Sequence, residues 1–284
     1  MKEAQYWQRE GEKIRCQLCP HYCLVADGQK GRCGVRENRG GKLYALNYGQ
    51  IGALALDPVE KKPLFRFKPG SMILSVGTTG CNLDCAFCQN WELVSGRGGR
   101  EEISPEELVA LAENYRPVGN IGLAYTYSEP LMWFEFVLAT AKLARGKGLA
   151  NVLVSNGYIN EAPWRELLPW LDAANIDIKG EKEFYRKLCK ARPEPVWRAV
   201  ELAVEAGVHV EITCLLVTDE NDSPEQIEAL ARRLADLSSK IPLHLSRYFP
   251  RRSLTAPPTP LERMYEAQAI ASRYLKYVYL GNLP

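Results

Sequence analysis

Gly80-Cys81-Asn82-Leu83-Asp84-Cys85-Ala86-Phe87-Cys88-Gln89-Asn90 sets three cysteines at C-x3-C-x2-C. Directly before it comes Met72-Ile73-Leu74-Ser75-Val76-Gly77, an apolar run of strand length. Zinc is one occupant to weigh. A structural zinc takes four closed ligands, usually arriving as two C-x2-C-like pairs. Here the run supplies only three, and the next cysteine downstream is Cys189. Three thiolates suit a 4Fe–4S cluster in which one iron lacks a protein ligand and is open to a small molecule. Packing is the third account, since free cysteine is among the most buried residue types.

From Met72 onward, short apolar runs alternate with amphipathic stretches, the pattern of βαβ units on a parallel sheet. The runs predict strands at 72–77, 121–126, 151–155, 174–178, 208–216 and 242–246. Helices are expected near 104–115, 131–146, 161–170, 193–206 and 224–237. Ser104-Pro105-Glu106-Glu107 and Ser223-Pro224-Glu225 each place an N-cap serine before a proline at the first helical position. Six strands predict an α/β fold, a partial (β/α)6 TIM-like barrel rather than a closed eight-fold one. In such a barrel the chemistry lies at the carboxyl ends of the strands, and the three-cysteine run does follow the first of them.

Polar residues gather at the other strand ends as well. Tyr125-Thr126-Tyr127-Ser128-Glu129-Pro130 follows the second strand and Ser155-Asn156-Gly157-Tyr158 the third. The fourth ends Ile176-Asp177-Ile178-Lys179-Gly180, and the fifth carries Thr213. Singly, each has an ordinary account: Ser-Asn-Gly is a common turn, Glu-Pro a common helix entry, and Asp177 with Lys179 a surface ion pair. Jointly they collect where a polar cofactor would lie. His244 and Arg247 end the last strand, on the side where a substrate enters. A structural role competes for both, although the Arg247 fork suits a carboxylate or phosphate.

The three-cysteine run, with Phe87 in the aromatic position before the third cysteine, resembles the signature of the radical SAM superfamily. The resemblance implies that Cys81, Cys85 and Cys88 hold a catalytic 4Fe–4S cluster whose open iron is chelated by S-adenosylmethionine (SAM). One electron from the cluster then cleaves SAM to methionine and a 5′-deoxyadenosyl radical, chemistry that belongs to the cofactor. Residues 72–246 are similar to the pyruvate formate-lyase activating enzyme branch. Its Gly-Gly-Glu-Pro element is represented by Tyr127-Ser128-Glu129-Pro130, its Thr-Asn-Gly by Ser155-Asn156-Gly157, and its Asp-x-Lys by Asp177-Ile178-Lys179. The match implies that Glu129, Asp177 and Lys179 contact SAM, with Tyr127, Ser128, Ser155, Asn156 and Thr213 as further polar candidates. The Tyr-Ser-Glu-Pro variant, the amino-terminal cysteines and His244-Leu245-Ser246-Arg247-Tyr248-Phe249-Pro250 together resemble the AmmeMemoRadiSam-system radical SAM proteins. Such proteins continue past a Gly-Asn-x-Pro element into a cysteine-bearing tail, whereas this sequence stops at Gly281-Asn282-Leu283-Pro284.

Upstream, Cys16, Cys19, Cys23 and Cys33 lie in a stretch rich in Gly and charge. So short a segment builds no core of its own, and four close thiols fit zinc or an auxiliary iron–sulfur cluster; loosely packed cysteines are the competing account. His21 reads as a turn residue. Lys42 to Ile51 alternates weakly and predicts a strand, and Asp57-Pro58 and Lys62-Pro63 break the chain before the barrel. The expected organisation is a cysteine-rich extension over 1–70, the barrel over 71–250, and a helix and strand over 251–284.

The 284 residues can bury one large α/β core. With 36 Lys plus Arg against 34 Asp plus Glu, the formal charge of +2 provides no strong field for nucleic acid or membrane. No run has the length to span a bilayer, and the start Met1-Lys2-Glu3-Ala4-Gln5 lacks a signal-type apolar core. Nine cysteines, an odd number, argue for a reducing cytosolic setting. The expectation is an enzyme that abstracts a hydrogen atom, served by an external electron donor of flavodoxin or ferredoxin type. An activase installing a glycyl radical on a partner protein is the rival within enzymes. An iron–sulfur electron carrier that never touches SAM is the rival outside them.

Overall fold

The computed structural model of the chain describes residues 1–97 and 101–284. Its main sheet has eight strands: β1 (Ala53–Pro58), β2 (Met72–Gly77), β3 (Asn120–Tyr125), β4 (Ala150–Ser155), β5 (Ala173–Asp177), β6 (His209–Leu216), β7 (Leu243–Arg247) and β8 (Val278–Gly281). Strands β2 to β7 fall within one residue of the six apolar runs. Each strand neighbours the next in sequence; β1 is antiparallel to β2 and all other pairs are parallel. The sheet is the incomplete barrel expected, with β1 and β8 at its edges.

The sheet also crosses both expected domain boundaries. β1 lies inside the segment assigned to the extension, yet it pairs with β2 from Ala53↔Gly77 to Pro58↔Met72. Pro58 ends an edge strand, where a missing N–H breaks no ladder, so Asp57-Pro58 is a strand end rather than a chain break. At the other edge β8 pairs with β7. The strand expected over 42–51 is instead two, Lys42–Ala45 and Gln50–Ile51, parted by a turn.

Crossover helices α1 (Pro105–Asn114), α2 (Phe134–Gly146), α3 (Glu161–Leu167), α4 (Glu194–Glu205) and α5 (Pro224–Ser238) cover the outer face, and α6 (Leu261–Ala271) precedes β8. Ser104 with Glu107 and Ser223 with Gln226 form complete capping boxes at α1 and α5. Burial on both faces explains why the central strands read as continuous apolar runs. Leu74, Val76, Leu123, Tyr125 and Leu153 pack toward the helices, while Ile73, Ala124, Val152 and Ala173 form a smaller inner core with Val59 and Leu64. Gly122 sits where β3 shifts register against β2. A Cβ there would lie 1.9 Å from the Ala150 carbonyl oxygen. Buried Asn120 bridges this irregularity, accepting from Leu74 N at 2.9 Å and donating to Ala112 O at 2.8 Å.

Residues 59–70 close the barrel floor. The Glu211 carboxylate, fully buried on β6, accepts from the amides of Phe65 (3.0 Å) and Arg66 (2.7 Å) and from Nε2 of His209 (2.9 Å) and His244 (2.6 Å). Burial would raise its pKa, but these donors bring it down to about 2. The amino-terminal segment forms two small antiparallel sheets packed on the same core. A buried Arg36–Glu135 ion pair ties it to α2, and Gln5 N donates to the same carboxylate.

Candidate active site at the carboxyl ends of the strands

Cys81, Cys85 and Cys88 occupy the loop after β2, and the loop is shaped by two close approaches. Gly80 has φ +95°, and a Cβ on it would meet Val35 at 2.6 Å and the Cys33 carbonyl at 3.0 Å. Asn82, fully buried, donates to Tyr158 O at 2.6 Å, and its side-chain oxygen accepts from Asn156 Nδ2 at 3.0 Å. The Cys81 sulfur accepts from Leu83 N (3.4 Å) and Asn156 Nδ2 (3.6 Å).

The three cysteines line one cavity of about 350 Å³ together with Tyr127, Ser128, Glu129, Ser155, Asn156, Asp177, Lys179 and Thr213. Every residue expected to touch the cofactor is therefore gathered at one mouth. Glu129 is fully buried at the end of β3. Its carboxylate accepts from Ser155 Oγ (2.7 Å), Asn156 N (2.8 Å) and Leu131 N (3.0 Å). Burial pushes its pKa up to about 7, with these hydrogen bonds opposing the rise. Lys179 Nζ lies 2.9 Å from Asp177 Oδ2. Burial works against its charge, but Asp177 and the Cys85 sulfur outweigh it and hold its pKa above the ordinary lysine range. Tyr127 has φ +71°, a sparse region for a non-glycine residue, and Asn90 Nδ2 donates to its carbonyl at 2.7 Å.

Sequence reasoning missed one side of this mouth. Lys61 and Lys62 line it, and Lys62 is held by Asp57 at 2.7 Å. Tyr127 OH donates to the same carboxylate at 3.0 Å. Burial raises the Asp57 pKa, but hydrogen bonds from Lys62, Tyr127 and Lys61 reverse this and bring it to about 2. The signal lay in the β1–β2 pairing, which no local pattern around Lys62-Pro63 reveals. Ser246, Leu215 and Asn90 complete the wall.

Two expected residues are not brought here. His244 is drawn below the mouth by its bond to Glu211 and packs against Phe65 and Tyr279. Arg247 donates to the Thr259 carbonyl at 2.7 Å and stacks on Phe249. A carboxylate deeper in the barrel and a loop carbonyl beside the strand satisfy these side chains, so neither lines the cavity. The four amino-terminal cysteines also lie outside it. Of their sulfurs, that of Cys23 accepts the Arg32 N–H at 3.4 Å. They adjoin the Cys81–Cys88 loop, since His21 Nε2 meets Asn82 O at 2.8 Å. All nine cysteines are free of disulfides. Among the described residues no three His, Cys, Asp or Glu side chains are arranged to hold a single metal ion.

The donor set fits an iron–sulfur cluster with a polar small molecule beside it. Three thiols face one cavity, charged groups of both signs ring it, and Ser128 Oγ is buried there with no hydrogen-bond partner. The model of the Radical SAM superfamily matches residues 75–234, from within β2 to within α5. The chain belongs to the radical SAM superfamily.

Relatives extend the match. An uncharacterized protein of Methanocaldococcus jannaschii is 42% identical over 291 residues, covering 100% of this chain and 86% of the relative. The pyruvate formate-lyase-activating enzyme of Clostridium pasteurianum is 27% identical over 173 residues, covering 60% of this chain and 72% of that enzyme. Among solved structures, Streptococcus suis SuiB bound to S-adenosylmethionine aligns with a TM-score of 0.55 at 14% identity, covering 71% of this chain and 47% of SuiB. That likeness is one of fold. Radical SAM membership implies a 4Fe–4S cluster and SAM. Among the described residues, no helix is long and apolar enough to cross a membrane.

Proposed function

We propose that this radical SAM protein is an enzyme that removes a hydrogen atom from a substrate, with Cys81, Cys85 and Cys88 holding the 4Fe–4S cluster. When bound and reduced, the cluster supplies the electron that cleaves SAM to methionine and a 5′-deoxyadenosyl radical. The observation that carries this reading is the single cavity in which three thiols meet Glu129, Asp177 and Lys179. In it Glu129 receives the SAM ammonium, while Lys179 and Asp177 face its carboxylate and ribose. Ser128, Ser155, Asn156 and Thr213 supply the remaining polar contacts, and Tyr127 walls the side toward β1. The floor built on Glu211 excludes water from below. The electron comes from a flavodoxin- or ferredoxin-type donor in a reducing compartment.

The test is anaerobic reconstitution with iron and sulfide, reduction by dithionite with SAM, and measurement of 5′-deoxyadenosine, with Cys85→Ala as control. Product from the wild type and none from the variant supports the reading. A loaded, reducible cluster that leaves SAM intact overturns it in favour of an electron carrier.

Two finer readings have specific support. The activating-enzyme relative favours a protein substrate, so that the hydrogen would come from a partner's glycine; stable association with such a partner tests this. The spacing of Cys16, Cys19, Cys23 and Cys33 within one short stretch favours a second metal group there, zinc or iron–sulfur. Metal analysis of a Cys81/Cys85/Cys88→Ala triple variant tests it, because a retained equivalent of either metal can only reside elsewhere.

A further inference from the structure

A second cavity, of about 320 Å³, lies on the other face of the strands that wall the mouth. Neighbouring residues of an extended strand point to opposite faces, and the lining follows that alternation. At the end of β5, Asp177 and Lys179 line the mouth while Ile178 between them lines the second cavity. On β6, Thr213 and Leu215 line the mouth and Cys214 between them the second cavity. Helices α4 and α5 form its outer wall, with Trp197 and Ile227 buried and Leu230 half-buried. Its volume falls in the range of small-molecule sites.

The inner wall has few hydrogen-bonding groups to offer. Asn221, a buried amide there, gives its Nδ2 hydrogens to the carbonyls of Lys179 (2.6 Å) and Leu215 (2.8 Å), and its oxygen accepts from Val217 N at 2.6 Å. Gln226 is engaged by the cap of α5: its oxygen accepts from Ser223 N at 3.3 Å, and Nε2 donates to Glu220 O at 3.2 Å. Charge is kept to exposed residues of the lining, the cations Lys182 and Arg233 against the carboxylate of Glu181. The Arg233 guanidinium lies over the Trp197 ring, 4.1 Å from its centroid. Its ion pair with Glu201 is long, 4.0 Å, and among the described residues it makes no hydrogen bond. A planar fork with donors to spare thus stands beside an aromatic, apolar pocket.

We propose that this cavity binds a small aromatic carboxylate, its ring among Ile178, Trp197, Cys214 and Leu230 and its carboxylate on Arg233. The ring displaces water from an apolar wall, and the guanidinium fork matches a carboxylate in geometry as well as charge. An uncharged ring leaves the fork unused, and an amine meets two cations. The site needs no metal, so it stands or falls independently of the reading of the three cysteines.

The experiment titrates the full chain by calorimetry with indole-3-acetate, with its uncharged match indole-3-acetamide, and with tryptamine. Wild type is expected to saturate with one equivalent of indole-3-acetate and to bind it about fivefold more tightly than the acetamide, the upper range for a solvent-exposed ion pair. Tryptamine should bind most weakly. Arg233→Met keeps an apolar stem over Trp197 but removes the fork, and should bring acetate and acetamide level. Ala229→Phe, on the exposed rim of α5, narrows the opening and should weaken both by about tenfold or more. Circular dichroism checks the fold of each variant; should Ala229→Phe unfold, Arg233→Met decides alone. The inference is overturned if indole-3-acetate shows no saturation at millimolar concentration, or if wild type binds the acetamide equally well. A preference for the acetate that persists in Arg233→Met, or binding untouched in a folded Ala229→Phe, overturns it as well.

Discussion

SAM affinity should depend on pH through Glu129, and the structure sets the size of the effect. Burial behind Ser155 and Pro130 lifts this carboxyl to about 7, so it is half protonated near neutrality. A neutral carboxyl cannot pair with the ammonium of SAM, so binding must first expel the proton. The apparent dissociation constant then scales as one plus ten to the power (7 − pH). That makes it about twofold weaker at pH 7 and about elevenfold weaker at pH 6 than at the alkaline limit. The α-amino group of SAM belongs to a class that loses its own proton near 7.7–8.0, which closes the profile on the other side. The expected result is a bell with its maximum between roughly pH 7 and 8. In the unliganded protein the same shift has the opposite consequence for the fold. The folded state keeps the proton where the unfolded chain has lost it, so stability falls as pH rises from about 4 to 7. Anaerobic calorimetry of SAM binding to the reconstituted protein at several pH values is the assay, with Glu129→Gln beside wild type. The variant should bind more weakly at the optimum and lose the acid limb. A flat wild-type profile between pH 6 and 7.5, or an acid limb that persists in Glu129→Gln, would refute the reasoning.

Three further outcomes are expected. Glu211→Ala strands two amides and two imidazoles that now share one carboxylate; with about 1–3 kcal/mol for each buried orphan and water reaching the more open amides, a loss of about 3 kcal/mol in denaturant unfolding follows. In wild type the carboxyl is lowered to about 2, so its contribution is complete above the unfolded value near 4.3 and is lost as pH falls from there toward 2. Gly122→Ala puts a methyl 1.9 Å from the Ala150 carbonyl and should cost upwards of about 3 kcal/mol, seen as insoluble expression or a collapsed melting transition. Lys62→Met removes the cation that holds Asp57, and should raise the Asp57 pKa from about 2 into the ordinary carboxylate range, measurable by NMR titration.

What the sequence made legible was what is local. The cysteine run, the strands β2 to β7 and the polar strand ends each occupy a few consecutive residues, and a parallel sheet brings consecutive strand ends to one rim without further information. Features that depend on distant pairing were not legible. β1 is edge-placed and ends in proline, so its alternation is weak; its place in the sheet, and with it Lys62 and Asp57 at the mouth, follows only from its register with β2. Cys189 carries no motif and comes beside the cysteine loop only because a π-turn ends there, its carbonyl accepting from Asp84 N. His244 misled for a related reason. Expected at the strand's carboxyl end, it is the second residue of β7, and at that amino-terminal position it faces the floor, where Glu211 holds it.

The bonds that seal the barrel floor span a long stretch of chain: Phe65 waits for Glu211, 146 positions later. On a ribosome adding about 5–20 residues per second, that is a delay of about 7–30 s. For most of it the seven cysteines numbered 16 to 88 have been made while the lower closure of the site does not yet exist. Metal insertion during synthesis would meet an unroofed, solvent-swept loop, whereas insertion afterwards must proceed through the rim. The order of translation and loading is thus written into the span of a single hydrogen bond.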